Sequence, residues 1–342
     1  MSKIKIILLS LTMLAPAAAE AQDNQPQEQE EKQLLVLDPL FEYPSTPDEI
    51  EWKDRSNWLM EHFWDNFDTN QNAVGQIQLN HAFKTWCVPL RLADKNVALE
   101  SAHKLIKRVE KNPTLLLQLT KAAEYNIYDP ATAEIWADDF YIPFLEALVS
   151  NKKVPKLQKP RYAMQLERLK NSALGAQLPA FSYRDRTGLP AKFDTGQKYM
   201  IVEFGDPDCN ECQMTRIELK LNDVVSRYIN EGKLGIAFIL PDADPADTDW
   251  MEFVSDYPDN WTVGAAEDLD TKLDLKLTPS LYLLSPQGLI LQKNSDVKSV
   301  VLALEELLGS AAGEPVEKSV GVLDTDDTAA PSAEIEPIQP TE

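Results

Sequence analysis

The residues best suited to chemistry are two cysteines, Cys209 and Cys212, separated by two residues. Such a pair is half of a zinc site, a structural disulfide or a redox-active dithiol. Zinc is disfavoured, because the other candidate ligands are one cysteine and three scattered histidines: Cys87, His62, His81 and His103. A disulfide across two residues constrains the unfolded chain little. We therefore favour a redox-active dithiol, with neither metal nor cofactor.

The predicted elements around the pair support this interpretation. The β-branched and aromatic run 199–204 predicts a buried strand, and a long helix is predicted over 209–229. Cys209 then lies at a helix N-terminus, where free N–H groups and the helix dipole stabilise a thiolate. Cys212, one turn later, is placed to attack a mixed disulfide that forms on Cys209.

The second half of the chain predicts alternating strands and helices. The strands are expected at 178–183, 199–204, 234–240, 280–284 and 289–292, and the helices at 209–229, 250–254 and 297–308. This order predicts an α/β domain over 173–312, a mixed sheet with helices on both faces.

The region 45–172 shows helical patterns and no strand alternation. Helices are predicted to begin near Thr46, after Gly75 and at Asn96, Pro113, Ala131 and Pro160. We therefore expect an all-α domain that precedes the α/β domain, and the length of 342 residues suits two domains.

The start of the chain has the pattern of a secretory signal peptide, predicted at 1–21. Lys3 and Lys5 precede the apolar run 6–14, which is followed by the small residues 17–19. The run is too short to favour the alternative, an anchor helix, so no stable membrane insertion is expected. The protein is predicted to be exported to the periplasm or cell envelope.

Two acidic segments, 22–44 and 313–342, are predicted to be a disordered leader and a disordered tail. The whole chain carries a net charge of −22. That charge repels phosphates and argues against nucleic acid as a partner.

Residues 173–312 resemble the thioredoxin superfamily, especially exported thioredoxin-like thiol–disulfide oxidoreductases of the cytochrome-maturation type. The CxxC pair carries the resemblance, together with Glu203 six residues before Cys209, Pro279 before a late strand, and an entry segment from Gly175 to Gly188. Residues 45–172 are more loosely similar to the uncharacterised all-α region that precedes such domains in some exported bacterial proteins.

The resemblance implies a role for each matching residue. Cys209 is the attacking thiolate, Cys212 the resolving thiol and Glu203 the proton acceptor. The backbone of Thr278 pairs with an extended substrate segment, beside a cis peptide bond at Pro279.

Two positions depart from the family pattern. Tryptophan is usual where Asp208 stands, and often where Gly205 stands. We expect Asp208 to contact the substrate in place of the tryptophan. A peroxiredoxin is excluded, since Asp206 and Val202 occupy the positions of its hydroxyl residue and proline.

The function expected is thiol–disulfide exchange with protein clients. Asp206, Asp208 and Glu211 lie near Cys209 and disfavour its thiolate, which predicts a reductant that is recharged by an electron-donor protein. The alternative is an envelope binding protein that uses a thioredoxin-like scaffold without redox turnover.

Overall fold

The computed structural model describes residues 38–309, except 242 and 247–249. The predicted signal peptide, most of the leader and the predicted tail lie outside these residues. The last residues of the predicted leader, 38–44, are among the described residues. Phe41 is partly buried against the helical core, where it packs on Phe63, Trp64 and Phe67 with ring centroids 5.4–5.6 Å apart.

The helical region, residues 39–172, contains six α-helices among its described residues. They are α1 (Arg55–His62), α2 (Gln76–Cys87), α3 (Lys95–Val109), α4 (Pro113–Ile127), α5 (Asp138–Ser150) and α6 (Pro160–Asn171). Short 3-10 segments occur at Trp52–Asp54, Val88–Arg91 and Lys156–Gln158. The starts of α3 and α4 are capped by Asp94 and Asn112, whose side chains accept backbone N–H groups.

Two predicted helix starts are wrong. The helix expected near Thr46 begins only at Arg55, because the Ile50 N–H donates to the Pro47 carbonyl in a turn instead. The helix expected from Ala131 begins at Asp138, since Asp129 accepts the Ala131 N–H and holds that segment as a turn.

The sheet region, residues 173–309, contains seven strands among those described. They are β1 (Ser182–Asp185), β2 (Pro190–Lys192), β3 (Tyr199–Phe204), β4 (Leu234–Pro241), β5 (Thr262–Ala266), β6 (Ser280–Leu284) and β7 (Ile290–Gln292). They form one sheet in the order β2-β1-β5-β4-β3-β6-β7. Strands β3, β4 and β5 are parallel to one another, and the remaining pairs are antiparallel. The sequence prediction missed β2 and β5.

Helices cover both faces of this sheet, as predicted. They are α7 (Asn210–Leu221), α8 (Asp223–Asn230), α9 (Trp250–Ser255), α10 (Leu269–Lys272) and α11 (Val297–Gly309). Helices α7, α8, α9 and α11 contribute to the apolar core on one face, and α10 contributes to the core on the other. The single helix expected over 209–229 is broken at Asn222, whose side chain accepts the Val225 N–H and starts α8.

The register of β3 and β6 determines which loops meet at one edge of the sheet. Phe204 pairs with Ser280 at the end of the antiparallel ladder. The next residues are Gly205, which leads to the dithiol, and Pro279. The dithiol loop and the Thr278–Pro279 segment therefore lie at the same sheet edge.

Among the described helices, none has the length and apolar character needed to cross a membrane.

Candidate functional site

The two cysteines form a disulfide at the start of α7. The Cα atoms of Cys209 and Cys212 lie 5.2 Å apart. Cys209 is the N-cap residue, and its Sγ accepts the backbone N–H of Cys212 at 3.0 Å. This N–H group and the helix dipole favour negative charge on the Cys209 sulfur once the disulfide is reduced.

The two sulfurs differ in accessibility. Cys212 is 1% exposed, whereas Cys209 is only partly buried at the rim of the same apolar cluster. The solvent-exposed surface of the pair therefore lies at Cys209 and not at Cys212. This asymmetry fits the roles that the resemblance implies for the two residues.

Gly205 is a site residue whose role the sequence did not reveal. A β-carbon at this position would lie 3.0 Å from the Cys212 Sγ and 2.9 Å from the Phe238 ring. The buried sulfur thus lies directly against the backbone that leaves β3. A side chain at this position does not fit unless Cys212 or Phe238 moves.

Glu203 lies buried near the end of β3, one residue before Phe204. It is 0% exposed, and neither carboxylate oxygen has a hydrogen-bond partner among the described residues. It shares the face of the sheet that packs against α7, since Ile201, two residues earlier, belongs to the same apolar core as Cys212. Burial raises the pKa of Glu203 to about 8, although the positive charge of Arg216 opposes the shift.

Arg216 is the nearby cation, and it lies one helical turn after Cys212 on α7. Its guanidinium is 3.6 Å from the Asp256 carboxylate and lies over the Tyr257 ring, 4.7 Å from the ring centroid. The sequence carried a weak signal for it, the i+4 spacing from Cys212. Its partners come from a segment some forty residues later, which no local pattern connects to it.

The Thr278–Pro279 peptide bond is cis, as the resemblance implies. Thr278 is exposed, and Pro279 is partly buried at the edge that also carries Gly205. Asp208 is exposed, and its N–H donates to the Asp206 side chain at 2.9 Å. The substrate-binding roles of Thr278, Pro279 and Asp208, and the catalytic role of Glu203, stay predictions.

No cluster of three or more histidine, cysteine or acidic side chains in the described part of the chain has the arrangement of a metal site. The remaining cysteine, Cys87, is buried in the helical region, where burial raises its thiol pKa.

Comparison with known proteins gives one family model, which covers the first part of the chain, and several similar solved structures. Residues 17–172 match a family described as a domain of unknown function (DUF5106). A thioredoxin-like protein from Bacteroides caccae is similar in structure, with a TM-score of 0.64 and 25% sequence identity, over 78% of this chain and 98% of that one. None of the curated proteins is similar enough to count as a match.

Two further solved structures are similar over a smaller part. The thioredoxin domain of a thiol-disulfide oxidoreductase from Bacteroides vulgatus is 20% identical, with a TM-score of 0.34, over 40% of this chain and 97% of that one. A thiol-disulfide oxidoreductase from Bacteroides fragilis is 20% identical, with a TM-score of 0.33, over 38% of this chain and 98% of that one.

The sheet region has a thioredoxin-like fold, and an all-helical region precedes it. The similarity to the Bacteroides caccae protein covers 78% of the chain, far more than the sheet region alone, so it includes the helical region. The arrangement of two regions is therefore shared with at least one other thioredoxin-like protein.

Proposed function

We propose that the protein is an exported thiol–disulfide oxidoreductase that reduces disulfides in client proteins. One observation carries the proposal: the partly exposed Cys209 caps α7, while its partner Cys212 is buried. The thioredoxin-like fold and the buried Glu203 support it. The predicted signal peptide supports export.

In the reduced protein, the Cys209 thiolate attacks one sulfur of a client disulfide. A mixed disulfide forms, and the other client sulfur leaves as a thiolate. The Cys212 thiol then gives its proton to the Glu203 carboxylate, and its sulfur attacks the Cys209 Sγ. The second client sulfur leaves, and the two client thiolates take up two protons. Two electrons have moved to the client, and the Cys209–Cys212 disulfide remains.

Glu203 suits the proton-accepting step because of its raised pKa. A carboxyl group with a pKa of about 8 is a stronger base than an exposed glutamate, and its pKa is close to that of a thiol. Proton transfer between groups of similar pKa has little thermodynamic cost. A water-exposed carboxylate would be a much weaker acceptor.

The direction of exchange follows from the charges near Cys209. Asp206, Asp208 and Glu211 are all exposed and within three residues of it. Their negative charges oppose the thiolate that the helix N-terminus favours, so the reduced form is less stabilised than in a strong oxidant. Reduction of clients then requires an electron-donor protein that returns the Cys209–Cys212 disulfide to the dithiol.

The test is reduction of insulin disulfides by the pre-reduced full-length protein, followed by a titration against glutathione. We expect one insulin disulfide reduced per protein, and a potential nearer to about −270 mV than to about −120 mV. Cys209→Ser should abolish the reaction, whereas Cys87→Ala, which removes the buried thiol of the helical region, should not. Failure of the wild-type protein to reduce insulin would favour a binding protein built on this scaffold.

A further inference from the structure

Four charged side chains meet in a buried cluster between the helical and sheet regions. Asp138 comes from the start of α5, Asp274 and Lys276 from the segment before β6, and Lys293 from the segment after β7. The Lys276 Nζ lies 2.6 Å from Asp138 and 3.3 Å from Asp274, and the Lys293 Nζ lies 2.5 Å and 3.2 Å from the same two carboxylates. We name these four residues the buried ion cluster.

The cluster is buried and electrically balanced. The side chains of Asp274 and Lys276 are 1% and 5% exposed. Burial alone would raise the pKa of Asp138, but Lys293 and Lys276 hold it below its ordinary value. Burial alone would lower the pKa of Lys293, but Asp138 and Asp274 hold it above its ordinary value. Two negative and two positive charges therefore compensate each other away from water.

Further contacts attach the segment that begins at Asp274. The Asp274 N–H donates to the Ser172 hydroxyl at 2.8 Å, and the Tyr282 hydroxyl donates to the Asp274 carbonyl at 2.9 Å. The Lys276 Nζ lies over the Tyr128 ring, 4.6 Å from its centroid. Ser172, Tyr128 and Asp138 all belong to the helical region, which thus holds this segment at three points.

The segment leads directly to the proposed client-binding backbone. Lys276 is two residues before Thr278, and the Ser280 hydroxyl donates to the Leu277 carbonyl at 2.6 Å to close the turn between them. Thr278 itself is exposed. Its distance from Cys209 therefore depends on where the cluster places Lys276.

We infer that the helical region positions the client-binding backbone at Thr278 through the buried ion cluster, so that Asp138 and Lys276 are positioning residues for exchange with protein clients. The inference rests on the proposed function, because it assigns positioning residues to the same site. A protein disulfide must pair with the backbone to present its sulfur to Cys209. A small disulfide needs only the accessible sulfur.

The experiment compares a protein disulfide with a small one in the full-length reduced protein. Asp138→Asn keeps the size of the side chain and removes the charge that crosses between the regions. Single-turnover reaction of the pre-reduced protein gives an apparent KM, the insulin concentration at half of the maximal rate. We expect this KM for insulin to rise about tenfold, while the rate with dithiobis(nitrobenzoate) stays within about twofold. Lys276→Gln should act in the same direction, and the double variant should lose less than the sum of the two single changes.

Asp270→Asn is the matched control. It removes a carboxylate that also pairs across the two regions, with Arg168 at 3.4 Å, but from α10 rather than from the segment before Thr278. We expect this variant to react like the wild type with both substrates. An unchanged KM for insulin in Asp138→Asn and Lys276→Gln would overturn the inference, and so would an equal loss with both substrates.

Hydrogen exchange separates this inference from the proposed function. In Asp138→Asn, the amides of residues 275–281 should exchange faster than in the wild type, while those of residues 182–192 should not. This measurement needs no turnover, so it tests the positioning even if the wild type reduces no disulfide. Unchanged exchange at 275–281 would reject the role of the cluster.

Discussion

A β-carbon at Gly205 would lie 3.0 Å from the Sγ of Cys212. That distance is tighter than almost all real β-carbon contacts, and the same β-carbon would lie 2.9 Å from the Phe238 ring, closer than real β-carbons pack. The absence of a side chain at residue 205 is therefore what lets the resolving sulfur lie against the end of β3. Gly205 therefore makes room for the Cys212 sulfur, in addition to forming part of the loop that follows β3.

Gly205→Ala should consequently destabilise the oxidised protein. Inserting one methyl group into a packed core costs about 1–3 kcal/mol, which urea unfolding measures directly. The control is Gly309→Ala at the end of α11, where an added β-carbon meets nothing within 4 Å. Equal stability of the two variants would contradict the close packing at Cys212.

The two cysteines should behave differently when each is changed alone. Cys212→Ser leaves the accessible Cys209 sulfur without a resolving thiol, so mixed disulfides with client proteins should accumulate. Cys209→Ser leaves only a sulfur that is 1% exposed, and it should trap few or none. Non-reducing gels with oxidised insulin as the client measure the difference. Equal trapping by both variants would remove the assignment of roles.

The acidic side chains near Cys209 should make the dithiol more reducing. Neutralising one of them with Glu211→Gln should stabilise the thiolate and shift the equilibrium with glutathione by about twofold toward the reduced protein. Glu218→Gln is the control, because Glu218 is an exposed residue of the same helix, about two turns further on. A shift of the same size in both variants, or a shift toward the oxidised form, would refute the proposed tuning.

The parts of the fold that local patterns predicted well are those with strong local signals. The strand Tyr199–Phe204 and the helix Pro160–Asn171 have the predicted bounds, the first because of its β-branched residues and the second because proline opens it. Strand β5 was missed, since Thr262–Ala266 contains glycine and alanine, which have low strand propensity. Its pairing with β4 and β1 holds it in the sheet.

The site likewise has features that the sequence predicts and features that only the structure shows. Cys209 and Cys212 are visible from spacing alone, because the chemistry requires two thiols one helical turn apart. The buried ion cluster is not, since its members are up to 155 residues apart and each resembles an ordinary surface charge in its local sequence. Only tertiary packing shows that these charges are buried and paired. The domain boundaries at residues 45, 172 and 312 stay predictions.

Exchange should depend on pH through Glu203. If its carboxylate accepts the Cys212 proton, the rate of the resolving step should rise with pH up to about 8, the pKa of Glu203. Glu203→Gln cannot accept the proton, so its resolving step should be slower and should lack this rise. Stopped-flow measurement of thiol release from the mixed disulfide follows the step separately from attack by Cys209. An unchanged pH profile in Glu203→Gln would exclude the role of the carboxylate.

The same buried carboxyl group should make the stability of the oxidised protein depend on pH. The folded protein keeps the Glu203 proton up to about pH 8, whereas the unfolded chain releases it near the ordinary value of 4.5. Between these values the unfolded state has lost a proton that the folded state still holds. The free energy of unfolding should therefore fall as pH rises, by up to about 1.4 kcal/mol per pH unit from this group.

Glu203→Gln has no proton to lose, so it should be more stable than the wild type at pH 8 and similar to it near pH 4.5. Urea unfolding of the oxidised proteins at pH 5, 6.5 and 8 measures the difference, and other titrating groups cancel because both proteins contain them. Glu218→Gln changes an exposed glutamate. Its free energy of unfolding should differ from that of the wild type by the same amount at all three pH values. If the free energies of unfolding of Glu203→Gln and the wild type differ by the same amount from pH 5 to pH 8, Glu203 is ionised in the folded protein well below pH 8. It would then lack the basicity that the resolving step requires.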